Sequence, residues 1–205
     1  MSSQNVIQSP ALRSYSKVLS QKVPTKFSSP HLKNMKKTDP ERKVRMEPID
    51  LKKAEEVAWL HLLIQSSHSA PKFILPTKED LKSAAIRYFR AFVVTPKELK
   101  SQFIGVSSYE VRTPYLAETQ KTIILPEFRG GGWGKVLSQA IEDEVKKAGF
   151  YKVRSCIYST NLPMIQIKLA QGYIIEGYHP DHDGPGLHEY SLGKVLRRPD
   201  KDHPL

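Results

Sequence analysis

The 205-residue sequence predicts an α/β (α+β) fold, a central mixed sheet with helices against it, and two observations carry that expectation. First, stretches with the two-residue period of strands and stretches with the 3.6-residue period of helices follow one another in the order β-α-α-β-β-β-α-β-α-β-β. Second, residues 128–135, FRGGGWGK, set four glycines immediately ahead of the most regular helical segment in the chain.

Taken in order, residues 1–43 are rich in Ser, Lys and Pro, keep no sustained period and read as an N-terminal extension. KVRMEPI (43–49) reads as a short strand. DLKKAEEVAWLHLLIQ (50–65) reads as a helix with Asp50 as its N-cap. TKEDLKSAAIRYF (77–89) reads as a second helix, with Thr77 and Asp80 spaced as a capping box. RAFVVTP (90–96) and QFIGVSSYEV (102–111) read as strands joined by the polar turn KELK, and AETQKTIIL (117–125) as another strand. In GGWGKVLSQAIEDEVKKAG (131–149), Leu137, Ile141, Val145 and Ala148 fall on one helical face. Lys146 and Lys147 occupy the last turn, and Gly149 closes the helix. KVRSCIYS (152–159) is a strand and NLPMIQIKLAQG (161–172) a short helix. YIIEGYH and LHEYSLGKVL end the domain as strands, leaving 44–198 as one domain and 199–205 as a tail.

Composition narrows the classes. Apolar residues make up 39% and charged residues 26%, as in an ordinary globular chain, and no apolar run reaches the length of a membrane span. Cys156 is the only cysteine, which excludes an intramolecular disulfide and a cysteine-based zinc cluster. The cytoplasm is the expected compartment, and an organelle-targeting peptide at the basic, Ser-rich N-terminus is the lesser alternative. Residues 1–45 hold ten basic and two acidic residues, a local charge of +8 out of +11. Such a tail is read as a solvated extension. Nucleic acid is not the expected partner, because aromatic interleaving is limited to Tyr15 and Phe27.

Counting tests the glycines. A P-loop needs four residues between its glycines and a Ser or Thr after its lysine; here three residues separate Gly130 from Gly134, and Val136 follows Lys135. A dinucleotide fingerprint needs glycine at i, i+2 and i+5, which no register satisfies. What remains is a glycine turn opening a helix, whose exposed backbone N–H groups and helix dipole suit a phosphate, flanked by Arg129 and Lys135.

The spacing that does fit is Arg129-Gly130-Gly131-Gly132-Trp133-Gly134, an Arg-x-x-Gly-x-Gly pattern. Downstream, NLPMIQIKLAQGY supplies an Asn after the next strand, a short helix, then Gly and an aromatic. From Ala117 to Tyr173 the sequence resembles the GNAT superfamily of N-acetyltransferases, and the element order from Val44 to Leu196 is similar to that family's. The resemblance implies an acyl-CoA N-acyltransferase fold with a mostly antiparallel sheet and splayed strands at an acetyl-CoA site. It implies that Gly130, Gly131, Gly132, Trp133, Gly134 and Lys135 hold the coenzyme pyrophosphate with their amides, beside Arg129. Ile123, Ile124 and Leu125 would pair with the pantetheine arm, an N–H near Thr122 or Ile123 would polarise the thioester carbonyl, and Asn161 would bond the arm, cap the short helix, or do both.

The same resemblance implies direct attack by a primary amine on the thioester, the amine being that of a small molecule or a protein. Glu118, eleven residues before Arg129, is the candidate general base. At the position where relatives carry an acid-donating Tyr this chain has Lys168, a weaker candidate, with Tyr158 and Tyr173 as substitutes; Cys156 is read as a buried strand residue. The alternative class is a non-catalytic acyl-CoA-binding or regulatory module with the basic tail as its partner-binding arm. HPDHDGPGLHE (179–189) is read as a Pro/Gly-rich link rather than a metal site. There Asp181 and Asp183 could attract a cationic amine, no metal is expected, and a homodimer is left open.

Overall fold

A computed structural model describes residues 43–67, 77–82, 85–94 and 102–197. The basic extension, the KELK turn and the C-terminal tail therefore lie outside the described residues. The elements are β1 (Lys43–Pro48), α1 (Ala54–Ser67), α2 (Lys78–Leu81), β2 (Ile86–Val94), β3 (Gln102–Val111), β4 (Leu116–Ile124), a 3-10 turn (Pro126–Phe128), α3 (Trp133–Lys147), β5 (Lys152–Tyr158), α4 (Leu162–Ala170), β6 (Ile174–His179) and β7 (Glu189–Val195). Their order is the one read from the sequence.

The helices α1 and α2 belong to one compact unit, and the sheet with α3 and α4 to another. In the first unit Val57, Leu60, Leu63 and Ile64 of α1 and Leu81 of α2 are buried. Asp50 caps a turn ahead of α1 rather than the helix itself: its side chain accepts the Lys52 N–H at 3.1 Å and its carbonyl the Lys53 N–H at 3.1 Å. The capping box at α2 forms as expected, with Thr77 N–H donating to Asp80 Oδ2 at 2.7 Å and Asp80 N–H to Thr77 Oγ1 at 3.2 Å.

The helix expected to run to Phe89 stops at Leu81, and IRYFRAFVV forms β2 instead. Aromatic and β-branched residues dominate that run, and Phe89, Ala91 and Val93 alternate inward, so strand pairing to both β1 and β3 overrides the helical reading.

The seven-stranded sheet has the order β1-β2-β3-β4-β5-β7-β6, with β4 and β5 parallel and every other pairing antiparallel. One face packs under α3. Leu137, Ile141 and Val145 of α3 are fully buried, and Ile141 and Val145 share a core with Phe89, Tyr109, Ala117, Val153, Ile157 and Leu192. Fully burying each such side chain contributes roughly 1.5–3 kcal/mol. Ala148, assigned by periodicity to the same face, is the exposed C-cap. Because strand side chains alternate, Lys152, Arg154, Cys156 and Tyr158 point to the face away from Val153 and Ile157. Among the described residues no helix is long and apolar enough to cross a membrane.

Candidate active site

The site begins where two strands part. The parallel ladder of β4 and β5 runs from Leu116–Lys152 to Thr119–Ser155 and stops there, although β4 continues to Ile124 and β5 to Tyr158. A bulge on β4 marks the departure: Ser107 pairs with Thr122 and Tyr109 with Thr119, so Gln120 and Lys121 together oppose Ser108. Ser108 Oγ accepts the displaced Lys121 N–H at 3.1 Å, and Ser107 Oγ meets Thr122 Oγ1 at 2.9 Å. The far side of β4 is held tightly by β3. A Cβ at Gly105 would lie 2.0 Å from the Ile123 carbonyl oxygen, so that approach requires glycine.

At the end of β4 the chain turns into α3 through the glycines. Gly130 and Gly132 have φ of 74° and 83°, left-handed values that L side chains rarely adopt, and Gly132 is the N-cap of α3. Among the described residues the amides of Gly132 and Gly134 donate to no backbone carbonyl, while that of Lys135 turns back to the Gly132 carbonyl at 3.2 Å. The first turn of α3 carries no acidic residue, so its dipole is not offset there. Arg129 is exposed and donates its Nε to the Ile124 carbonyl at 3.1 Å, which ties the turn to the end of β4. Lys135 is exposed beside it, whereas the Trp133 side chain is buried with the edge of its indole packed against Gly131 of the turn. These features fit a pyrophosphate.

Of the three residues expected to pair with a pantetheine arm, Leu125 has its backbone engaged internally. Its N–H donates to the Ile104 carbonyl at 2.9 Å and its carbonyl accepts from Phe128 at 2.9 Å. Ile123 and Ile124 lie on the stretch of β4 that β5 leaves. Asn161 caps α4 by accepting the Met164 N–H at 3.4 Å, and its exposed carboxamide keeps its N–H groups for a further partner.

Lys168 lies on α4 and is 3% exposed. Its Nζ stands 3.4 Å from the Tyr173 hydroxyl and 4.6 Å from that ring's centroid. Burial, with help from Lys194 and against the pull of Glu142, brings its pKa down to about 8. Glu142 of α3 is committed to Lys194 of β7 at 2.5 Å.

Glu118, 4% exposed, lies between two arginines that the sequence reading did not connect to it. Arg112 Nη2 donates at 3.0 Å, Arg154 Nε at 2.7 Å and Gln120 Nε2 at 2.9 Å. Burial alone would raise its pKa, but the hydrogen bonds and charges of Arg112 and Arg154 outweigh burial and hold it below the ordinary carboxylate value. A carboxylate stabilised in this way is a weaker base.

The 179–189 segment holds a connected polar cluster. Asp181 accepts the Gly186 N–H at 2.6 Å and, at φ 52°, shapes the turn, so its carboxylate is used locally. Tyr158 donates to Asp183 at 2.5 Å, His179 Nε2 meets Ser191 Oγ at 3.0 Å, and His182 Nε2 lies 3.9 Å from Glu189. Among the described residues no group of three or more His, Cys, Asp or Glu is arranged to hold a metal ion. Cys156 is partly buried, and burial pushes its thiol up to about 11, so it is no nucleophile at neutral pH. Glu189 was passed over in the sequence. The signal for it is the alternation in EYSLGKV, where Glu189, Ser191 and Gly193 form a small, polar face against apolar Tyr190 and Leu192.

A protein-family model described as the acetyltransferase (GNAT) family matches residues 57–173. Among solved structures, the ribosomal-protein-S18-alanine N-acetyltransferase of Escherichia coli superposes with a TM-score of 0.60 at 11% identity, covering 79% of this chain and 99% of that one. A spermidine N-acetyltransferase of Vibrio cholerae, in complex with CoA and spermine, gives 0.59 at 15%, covering 75% and 96%. An IAA acetyltransferase of Bacillus cereus gives 0.54 at 13%, covering 75% and 99%. At such identities the likeness is one of fold. No curated protein matches the sequence.

Proposed function

Since the chain belongs to the GNAT acetyltransferase family, we propose that it uses acetyl-CoA to acetylate a primary amine at the opened end of β4 and β5. The observation that carries this reading is the conjunction of the splay after Thr119–Ser155 with the glycine turn at the start of α3. The turn suits a pyrophosphate, and the parted strand edge suits an extended, amide-containing arm.

Acetyl-CoA supplies the activated acyl carbonyl. Backbone N–H groups of Gly132 and Gly134, with Arg129 and Lys135 nearby, hold the phosphates. Ile123 and Ile124 offer the strand edge, and Asn161 bonds the arm while capping α4. Glu118 binds Arg112 and Arg154 together and keeps the β4–β5 junction rigid just before it opens. Lys168 is the candidate proton donor to the leaving sulfur. Its pKa of about 8 is close to the ~8.5 of an ordinary thiol, which favours transfer between them.

Two of the neighbouring structures are described as a ribosomal-protein alanine N-acetyltransferase and a spermidine N-acetyltransferase, which supports reading the acceptor here as a primary amine, cationic in water. The test is thermal shift with acetyl-CoA and with CoA, followed by thiol release across spermidine, an N-terminal alanine peptide and a lysine peptide. Stabilisation by both nucleotides and amine-dependent thiol release are expected. Stabilisation without release from any amine would instead indicate a non-catalytic acyl-CoA-binding module.

A further inference from the structure

We infer that Glu189 is the group that takes the proton from the acceptor ammonium, at the acceptor side of the parted strands. The inference rests on the acetyltransferase reading above and names the base within it.

Glu189 opens β7 and pairs with Tyr158 of β5 on one side and His179 of β6 on the other, so the three side chains stand abreast on one sheet face. That face also carries Arg154 and Cys156 and lies opposite the α3 core. Glu189 is 8% exposed, yet its carboxylate accepts no hydrogen bond among the described residues; its ion partner is His182, at 3.9 Å. A carboxylate at the tip of a largely buried side chain, with no donors upon it, gains little from being ionised and is ready to accept a proton. Glu118, with three donors upon it, is in the opposite condition.

Lys121 links Glu189 electrostatically to β4. This residue sits on the β4 bulge, and β5 lies between β4 and β7 in the sheet, yet Lys121 interacts with the charges of Asp183 and Glu189. The interaction crosses the end where β4 and β5 no longer pair. The charged and titratable groups facing Glu189 are Lys121 and Glu118 from β4, Cys156 and Tyr158 from β5, His179 from β6, and His182 and Asp183 from the connecting segment. Burial first, then the negative charge of Asp183, raises the Glu189 pKa, and His182 and His179 oppose them. His182, with about half its side chain exposed and its ring 5.4 Å from that of His179, gives the proton a way to water.

In the step itself, an ammonium N–H bond breaks as Glu189 takes the proton. The freed nitrogen pair forms the N–C bond to the acyl carbon, and the C–S bond breaks. Nitrogen gives up two protons in all: one leaves through Glu189 and His182 to solvent, and the other balances the proton that Lys168 delivers to sulfur.

The test compares wild type, Glu189→Gln and Glu189→Asp with whichever of the three amines wild type acetylates. Glu189→Gln should lose roughly 10²- to 10⁴-fold in kcat while keeping the thermal shift with CoA. The acid limb of the wild-type kcat/KM profile should lie above the ordinary ~4.3 of a glutamate and be absent from Glu189→Gln. The residual Gln rate should climb with pH as the amine loses its own proton, and Glu189→Asp should retain the limb at a reduced rate. A second readout needs no substrate. Folded Glu189 keeps a proton that the unfolded chain has released, so wild type should lose stability relative to Glu189→Gln as pH rises from about 4.5 through the raised value. A Gln variant within twofold of wild type, or one that keeps the acid limb, overturns the assignment and leaves the acetyltransferase reading intact. Absence of thiol release by wild type with every amine overturns both. If the Gln variant does not fold, a folded Asp variant that has lost the limb also overturns it.

Discussion

Thr119 and Ser155 form the last pair of the parallel ladder between β4 and β5. One residue beyond Thr119 the β4 bulge begins, and past that the strand runs alone on this side to the glycine turn. The bulge, the opening and the helix start are thus consecutive consequences of one stretch of chain, residues 119–134.

The glycine turn is the most direct place to test that sequence of features. Gly132→Ala must hold an alanine at φ 83°, which costs roughly 1–2 kcal/mol, and it displaces the helix-start amides. A lowered Tm and at least tenfold weaker CoA binding by calorimetry are expected. Unchanged CoA affinity would separate the turn from the phosphate.

Arg129→Ala removes a charge and the bond to the Ile124 carbonyl. CoA binding should weaken about five- to tenfold at low salt, and the difference should shrink as salt is added, because an exposed charge is screened. A salt-independent loss would mean that Arg129 acts through the turn's shape alone.

Glu118→Gln removes the charge between Arg112 and Arg154. Both arginines are partly exposed and can resolvate, so the loss is set at about 2 kcal/mol, less than for a fully buried pair. The folded pKa is lowered, so the contribution is present above the unfolded value of 4.5 and is lost as pH falls through the folded value. Urea unfolding should show wild type and variant converging at low pH. The variant's kcat should change by less than tenfold with its acid limb intact; a larger fall with loss of the limb would return the role of base to Glu118.

Lys168→Met replaces a buried amine by an apolar side chain of similar length. If Lys168 donates to sulfur, wild-type kcat should fall above pH 8 and the variant should be slow without that limb. Stability moves differently. The unfolded chain holds the lysine proton up to about 10.5 and the folded one only to about 8, so wild type gains stability relative to Lys168→Met across that interval. An unaltered kcat profile in the variant would leave Lys168 a packing residue against Tyr173.

Much of this architecture is legible in the sequence because it depends on local signals. Gly130 and Gly132 mark left-handed backbone, the spacing of Leu137, Ile141 and Val145 marks a buried helical face, and Asn161 marks a cap. Less can be read where partners are distant. The aromatic and β-branched residues of IRYFRAFVV favour a strand, but the pairing to both β1 and β3 that ends α2 early comes from segments distant in sequence. The weakened basicity of Glu118 depends on Arg154, thirty-six residues away. Glu189 looks like one acid among the histidines and aspartates of a polar link until strand pairing puts it beside Tyr158 and buries it.

The central claim is that an acetyl group passes from coenzyme to amine nitrogen at the parted end of β4 and β5. Isotope-labelled acetyl-CoA, incubated with the protein and each of the three amines and followed by NMR, tests it most directly. The label should appear as an amide on one amine class, in step with thiol release, at a rate that collapses in Gly132→Ala at subsaturating acetyl-CoA. Label remaining on the thioester, or appearing only as free acetate, with CoA binding intact, would contradict the claim.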